Sequence, residues 1–313
     1  MDNRIYVTFN YPGTQDGDQT PLTGVRNKKK ELYISGFYHQ SNQPALGFIY
    51  KGEIGQYWDK TRWHTLNVPT IPGRTVKGTN LYGPDILKHG NIRVVGSYNT
   101  EESSTMYGCL YEGDLNGSGQ WSTLTPPKAI NTIAHSTMKG LVVGNYMIEG
   151  DIGAHAFIYD IKEQKYYNMN KKGATSITAY GIWYNGCDSY TICGGYSTKG
   201  PDSEIAYLVD WNNKTHKLHN WRKYNYDNTL ITHFEGITTD NKGGYNVVGE
   251  AKLVNGELIA FFANINKRVS WEIIKYPSST STSGNSVYEN NVIGVYTTSP
   301  STSVNGYISV KLN

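Results

Sequence analysis

The sequence predicts an all-β fold: a six-bladed β-propeller whose N-terminal strand completes the C-terminal blade. Three observations carry this reading. One short element repeats six times at propeller spacing. A companion outer strand occurs five times after the repeat and once before it. No segment of the 313 residues has a sustained helical period; short apolar runs alternate with clusters of Gly, Asn, Asp, Pro and Ser.

The repeated element is a β-branched pair, a Gly and usually a Tyr two positions on. It reads Ile34-Ser35-Gly36-Phe37-Tyr38, Val94-Val95-Gly96-Ser97-Tyr98, Val142-Val143-Gly144-Asn145-Tyr146, Ile192-Cys193-Gly194-Gly195-Tyr196, Val247-Val248-Gly249-Glu250-Ala251 and Val292-Ile293-Gly294-Val295-Tyr296. The six central glycines lie 45 to 60 residues apart. That spacing suits four-stranded blades with variable loops. Each copy is followed by a further strand, such as Gly47 to Tyr50 or Ala156 to Tyr159.

An outer strand comes next, often with Trp and ending near Pro: Trp63 to Pro69, Trp121 to Pro126, Lys165 to Met169, Lys217 to Tyr224 and Trp271 to Pro277. The sixth copy is absent after Ile308, but Arg4 to Phe9 has its pattern. A ring left open would expose unpaired strand edges, so the first strand is expected beside the last. Residues 1–313 are thereby expected to form a single propeller domain.

Before each repeat lies an innermost strand centred on a small residue. Five copies fall at Thr23-Gly24, Tyr82-Gly83, His135-Ser136, Tyr180-Gly181 and Glu235-Gly236, and the sixth is expected near Tyr288. Small residues suit crowding at a central axis.

Composition bounds the partners. Lys and Arg total 29, Asp and Glu 26, and the net charge is +3. This balance excludes nucleic acid and anionic membrane as expected partners. The one basic run, Arg26 to Lys30, reads as a solvated turn. No apolar run is long enough to span a membrane, and nothing in the sequence fixes an oligomeric state. Two acceptor sequons, at Asn116 and Asn213, together with low charge, lean toward a secreted glycoprotein whose signal peptide is missing from this chain. Cys187 and Cys193 flank a turn where a disulfide is conceivable, whereas Cys109 reads as a buried hydrophobe.

Long loops such as Thr70 to Thr79, Asn99 to Tyr107, Pro277 to Gly284 and Thr297 to Asn305 gather on one face, where function is expected. Strand alternation then nominates the residues one and three positions before each small residue. Tyr82, His135, Tyr180, His233 and Glu235 are the candidate catalytic set, with Asn80, Thr23 and Thr178 as ligand-binding candidates. Two readings stay open: a ligand site, or an inert polar channel. Metal templates are unsupported, no cofactor motif occurs, and paired carboxylates are thin, since Glu235 is the only acid in the ring and Asp85 and Glu149 reach it only through loops.

The Ala154-His155-Ala156-Phe157-Ile158-Tyr159-Asp160 segment resembles the HAF repeat, whose Gly-Ile element is matched by Gly181-Ile182 and Gly236-Ile237. This resemblance implies a propeller and a cell-surface or secreted setting, with no catalytic motif. A looser likeness, of architecture and composition only, is to secreted fungal natural-product propellers, which implies hetero-Diels–Alder cyclisation. The expected function is accordingly a cofactor-free enzyme that cyclises a small, largely apolar molecule in the central loop-face pocket. The alternative is a glycan-binding propeller. Divergence among the axial positions favours one asymmetric site over six equal ones.

Overall fold

The computed structural model describes residues 3–41, 43–200 and 203–312. It is a six-bladed β-propeller, and its helical content among the described residues is confined to the 3-10 turns Ile54–Gln56, Lys60–Arg62 and Lys88–Gly90. None of its helices is long and apolar enough to cross a membrane.

Each blade is an antiparallel sheet laid down from the axis outward. Blade one runs Leu22–Lys28, Glu31–Tyr38, Leu46–Gly52, Trp63–Thr65, and blade two Val76–Ile86, Ile92–Thr100, Ser103–Gly113, Gln120–Leu124. Blade three runs Ala129–Met138, Leu141–Ile148, His155–Asp160, Lys165–Met169. In blade four the inner strand is broken into Ser176–Ile177 and Gly181–Gly186; both pair with Ser189–Ser197, followed by Ile205–Asn212 and Lys217–Tyr224. Blade five runs Thr229–Thr239, Tyr245–Leu253, Leu258–Ile265, Val269–Ile274.

Blade six takes Ser281–Tyr288, Asn291–Thr297 and Asn305–Lys311 from one end of the chain and Arg4–Thr8 from the other. The closing register pairs Arg4 with Lys311 and Thr8 with Tyr307. Arg4 fastens the join to blade five through Glu272 at 2.8 Å, and Lys311 reaches the same carboxylate at 2.6 Å. Just beyond the closing strand, Phe9 is fully buried among Tyr50, Tyr57 and Trp63 of blade one. The ring is thus closed by both hydrogen bonding and packing.

The glycine repeat has a specific cause. A Cβ on Gly36, Gly96, Gly144, Gly194, Gly249 or Gly294 would collide with the carbonyl oxygen of Pro21, Asn80, Ile133, Thr178, His233 or Ser283 respectively. In blades two, three, five and six that carbonyl belongs to the inner strand, just before the ladder slips; Pro21 immediately precedes the inner strand of blade one, and Thr178 lies in the break of blade four. The register jumps between Leu22 and Gly24, Ala134 and Ser136, Phe234 and Gly236, and Gly284 and Ser286. Blade two slips between Leu81 and Pro84, and blade four breaks between Ile177 and Gly181. A β-bulge leaves a residue unpaired and re-aims its side chain. Six times over, the second-strand glycine makes room for that bulge. The small residues that follow meet at the axis: a Cβ on Gly24 would come within 2.7 Å of the Gly83 backbone, and one on Gly83 within 2.8 Å of Ser136 Cα.

The sixth small residue is Ser286, two positions before Tyr288, in the inner strand expected there. Two expectations need correcting. The stretch from Asn99 to Tyr107 is mostly paired strand around a two-residue turn, because Thr100 pairs with Ser103. Arg26 is no turn residue; it lies in the inner strand of blade one and points its guanidinium across the axis, while Lys29 and Lys30 form the exposed turn. Cys187 and Cys193 are both free thiols, one exposed in the hairpin turn and one buried in the second strand. The tyrosines two residues after the glycine are packed: Tyr38, Tyr98, Tyr146, Tyr196 and Tyr296 are all buried. Tyr98, Tyr146 and Tyr296 bond the outer strands through Thr123, Asn168 and Thr8.

Candidate functional site

The bulges set Thr23, Tyr82, His135, Tyr180, Glu235 and Asn285 around the axis. Together with Ser283 and Glu250, five of these blades' side chains and Thr23 line a cavity of about 270 Å³ on the face where the inner strands begin. Below the ring, Arg26 crosses the axis from blade one. Its guanidinium donates to the Ile182 carbonyl of blade four at 3.1 Å and to Ser136 Oγ of blade three at 3.4 Å. Beneath the cavity the channel narrows to about 10 Å³, room for about one water. The site is therefore a blind pocket, with a separate cavity of about 180 Å³ on the far side lined by Arg26, Asp85, Met138 and Trp183 among others.

Three aromatic rings form an arc along one wall. Tyr82 and His135 stand 5.1 Å apart and His135 and Tyr180 4.6 Å apart, both edge to face. The arc continues into His233, 5.7 Å from Tyr180. Such edge-to-face geometry holds rings in fixed orientation.

His233 is clamped between two carboxylates. Its Nε2 stands 2.9 Å from Glu235 Oε1. Its Nδ1 stands 3.3 Å from Glu204 Oε2, close enough for charge attraction but off hydrogen-bond geometry. Burial works against the imidazolium, yet the flanking carboxylates outweigh it and raise the His233 pKa well above 6.5. Glu235 is pushed up, chiefly by burial and then by Glu250 and Glu204, against the pull of His233. Burial alone drives His135 down to about 3, so its ring is neutral at ordinary pH. The Tyr82 phenol is pushed up to about 12 and the Tyr180 phenol well above 10, by burial first and by Glu235 second, so both keep their protons.

The structure brings Tyr82, His135, Tyr180, Glu235 and Thr23 together at the cavity, with His233 directly behind Glu235. It does not bring Asn80 or Thr178 to the lining. Thr178 is buried, and its hydroxyl donates to the Gly195 carbonyl at 3.2 Å. Asn80 sits one turn of the alternation earlier, opposite Ser97. Thr23 lines the wall, but its hydroxyl is directed to the Leu81 carbonyl at 2.6 Å. Asp85 is on the far side of Arg26, and Glu149 is exposed in a hairpin turn.

Glu250, Glu204, Ser283 and Asn285 were missed. A signal for Glu250 existed: it follows the repeated glycine directly, and in the antiparallel ladder it pairs with His233. Glu204 lies before a strand, in a bridge to Ile231, and no repeat marks it. Among the described residues no group of three or more His, Cys, Asp or Glu is arranged to hold a metal.

No protein-family model matches the chain, and no curated protein sequence matches it. The likeness to the HAF repeat and to the natural-product propellers therefore has no sequence match behind it. Among solved structures, a protein of unknown function from Dyadobacter fermentans is similar over 99% of both chains, with a TM-score of 0.62 at 12% identity. An exo-1,5-α-L-arabinanase from a bovine ruminal metagenomic library aligns over 84% of this chain and 100% of its own, with a TM-score of 0.46 at 13% identity. The lectin of Aleuria aurantia aligns over 82% and 79%, with a TM-score of 0.45 at 13% identity. At such identities the likeness to the Dyadobacter protein speaks for the fold alone.

Proposed function

We propose that this propeller is a cofactor-independent enzyme that moves a proton on a small molecule held in the axial cavity. The observation that carries this is the Glu204–His233–Glu235 chain, which ends at the cavity wall. A base oriented by a second group, itself held by a third, is the recurring arrangement of acid–base sites. Glu235 takes or gives the proton. Its raised pKa brings it nearer neutral pH, where a general base or acid is most effective. His233 positions it. Tyr82 and Tyr180, which keep their protons, donate to negative charge developing on a carbonyl oxygen.

Cyclisation by proton transfer is one form of this chemistry; a cycloaddition moves no proton and would draw on the tyrosine hydroxyls alone. The substrate expected from the sequence was largely apolar. The lining argues for a polar one, because each of the eight residues carries a polar side-chain atom. A glycan-binding pocket is the second reading. It is favoured by two tyrosine rings beside Glu235, Glu250 and Asn285, a pairing of ring faces and hydrogen-bonding groups that suits one sugar residue.

The test is to incubate wild type and Glu235→Gln with a small-molecule extract of the source organism and follow each compound by mass spectrometry. Wild type should consume at least one compound, and the variant should do so about a hundredfold more slowly or worse, the usual loss for a group acting in the transition state. Equal consumption by both proteins, or binding of a sugar without consumption, would remove the enzyme reading.

A further inference from the structure

We propose that the axial cavity takes a small organic cation, with an amine or quaternary ammonium group as the recognised part. This rests on reading the cavity as the functional site and names its substrate class.

Among the described residues two carboxylates, Glu235 and Glu250, line the cavity, and no Lys or Arg does. A third, Glu204, lies behind His233. Among the described residues His233 is the one cation in contact with these carboxylates, and its Nε2 is engaged by Glu235 at 2.9 Å. One imidazolium against three carboxylates leaves the pocket negative. His135 adds no charge, since burial holds it neutral. Arg26 is turned away below the floor, engaged by the Val25 and Ile182 carbonyls at 3.0 and 3.1 Å. The carboxylates press on one another: after burial, Glu250 and Glu204 are what raise Glu235.

The hydroxyls of Thr23 and Ser283 and the amide of Asn285 are already engaged. Asn285 Nδ2 donates to the Leu22 carbonyl at 2.7 Å, and Ser283 Oγ donates to Asn285 Oδ1 at 2.7 Å. A ligand entering the pocket therefore meets carboxylates, aromatic rings and the phenol hydroxyls of Tyr82 and Tyr180. Carboxylates in a half-closed site attract a cation and repel an anion. The Tyr82–His135–Tyr180 arc supplies ring faces and edges beside them, and ring faces attract ammonium groups. The volume of about 270 Å³ is many times the ~10–15 Å³ that a single water needs, enough for a tetra-alkylammonium head.

The experiment compares choline with its uncharged isostere 3,3-dimethylbutan-1-ol and with the anion 3,3-dimethylbutyrate, by calorimetric titration of the intact protein. Choline carries a charge that does not titrate, so its own protonation plays no part in the comparison. Choline should bind at least about tenfold more tightly than the alcohol, and the anion should bind weakest. Glu250→Gln should weaken choline by a similar factor without lowering the melting temperature. Should that variant misfold, the wild-type series still decides. Equal affinity for choline and the alcohol, preference for the anion, or no binding of choline would overturn the proposal. Choline binding with undiminished consumption by Glu235→Gln would sink the enzyme reading and leave this one standing. A consumed substrate that proved uncharged would do the reverse.

Discussion

At the scale of single residues, two histidines one bulge apart in function have opposite charge states. His135 is neutral because it has lost water and gained no counter-charge; its pKa falls from 6.5 to about 3. His233 is just as enclosed but meets carboxylates on both ring nitrogens, and its pKa rises. The consequences for stability have opposite signs. The unfolded His135 takes up a proton below pH 6.5 while the folded one does not, so its contribution is present above 6.5 and is lost progressively as pH falls toward about 3. His233 contributes fully below its unfolded value of 6.5, and the contribution is lost as pH rises through its folded value. Chemical denaturation as a function of pH should show both. His135→Gln should flatten the acid limb, and His233→Gln the alkaline limb. An unchanged acid limb in His135→Gln would mean that the ring is protonated in the fold.

The ring of Tyr82, His135, Tyr180 and Glu235 was legible because each residue precedes a small residue at the same place in a repeat. What the repeat does not index was not legible. Asn285 belongs to the same series, but its blade carries Gly284-Asn285-Ser286, and either small residue can be taken as the marker. Arg26 opens a run of lysines and so reads as turn, although the ladder keeps it in the strand. Glu204 reaches His233 from an irregular segment, a contact set by tertiary structure alone. Charge at the site was thus underestimated: one acid was foreseen where three converge.

At the scale of the element, the bulge and its glycine form one device. The carbonyl that the bulge swings outward fills the place of a Cβ on the neighbouring strand. At Gly249 the obstructing atoms are the His233 carbonyl group, backbone that cannot step aside by a rotamer change. Gly249→Ala should therefore cost about 3 kcal/mol, the upper part of the range for overpacked sites, and should also disturb His233. Gly140, with a φ of +93 in an open hairpin turn, has nothing near its Cβ; Gly140→Asn should cost far less, as Asn tolerates that conformation. Melting curves of the two variants compare them directly, and equal losses would detach the glycine repeat from the bulge.

The hairpin turns of the opposite face carry the two sequons, and they differ. Asn116 is exposed in a turn closed by Asp114. Asn213 is partly buried; its Nδ2 donates to Asp160 of blade three at 2.9 Å, and its Oδ1 accepts from Trp211 Nε1 at 2.9 Å. A glycan on that nitrogen would sever the bond to Asp160. We expect expression in a glycosylating host to modify Asn116 and leave Asn213 bare. Modification at Asn213 with an unchanged melting temperature would show that the link between blades three and four contributes little.

At the scale of the whole molecule, the ring is a closed cycle of blade contacts in which blade six is built from both ends of the chain. We propose that residues 1–313 unfold as one cooperative domain, since the inner strand of every blade packs against those of the two blades beside it. Calorimetry should give one transition whose calorimetric and van't Hoff enthalpies agree. Deleting residues 1–12 removes the closing strand, the Arg4–Glu272 pair and the Phe9 packing together. The truncated protein should be insoluble or melt far below the full chain, and equal melting temperatures would contradict the closure.

The same join governs the order of assembly. The contact between Arg4 and Lys311 is among the most distant in sequence that this chain can make, and contacts of that kind slow folding because chain entropy must be spent before they reward it. As the chain leaves the ribosome, its first strand waits without a partner until the last blade has emerged. Five blades can gather in sequence by local hairpins, but the pocket at the axis takes its final shape only with the sixth. A circular permutant that joins residues 312 and 3, whose backbones already meet through the Leu312 N–H and the Asn3 carbonyl at 2.9 Å, and opens the chain between two blades, would turn that late encounter into a hairpin. Its refolding should be faster, with the native fold unchanged.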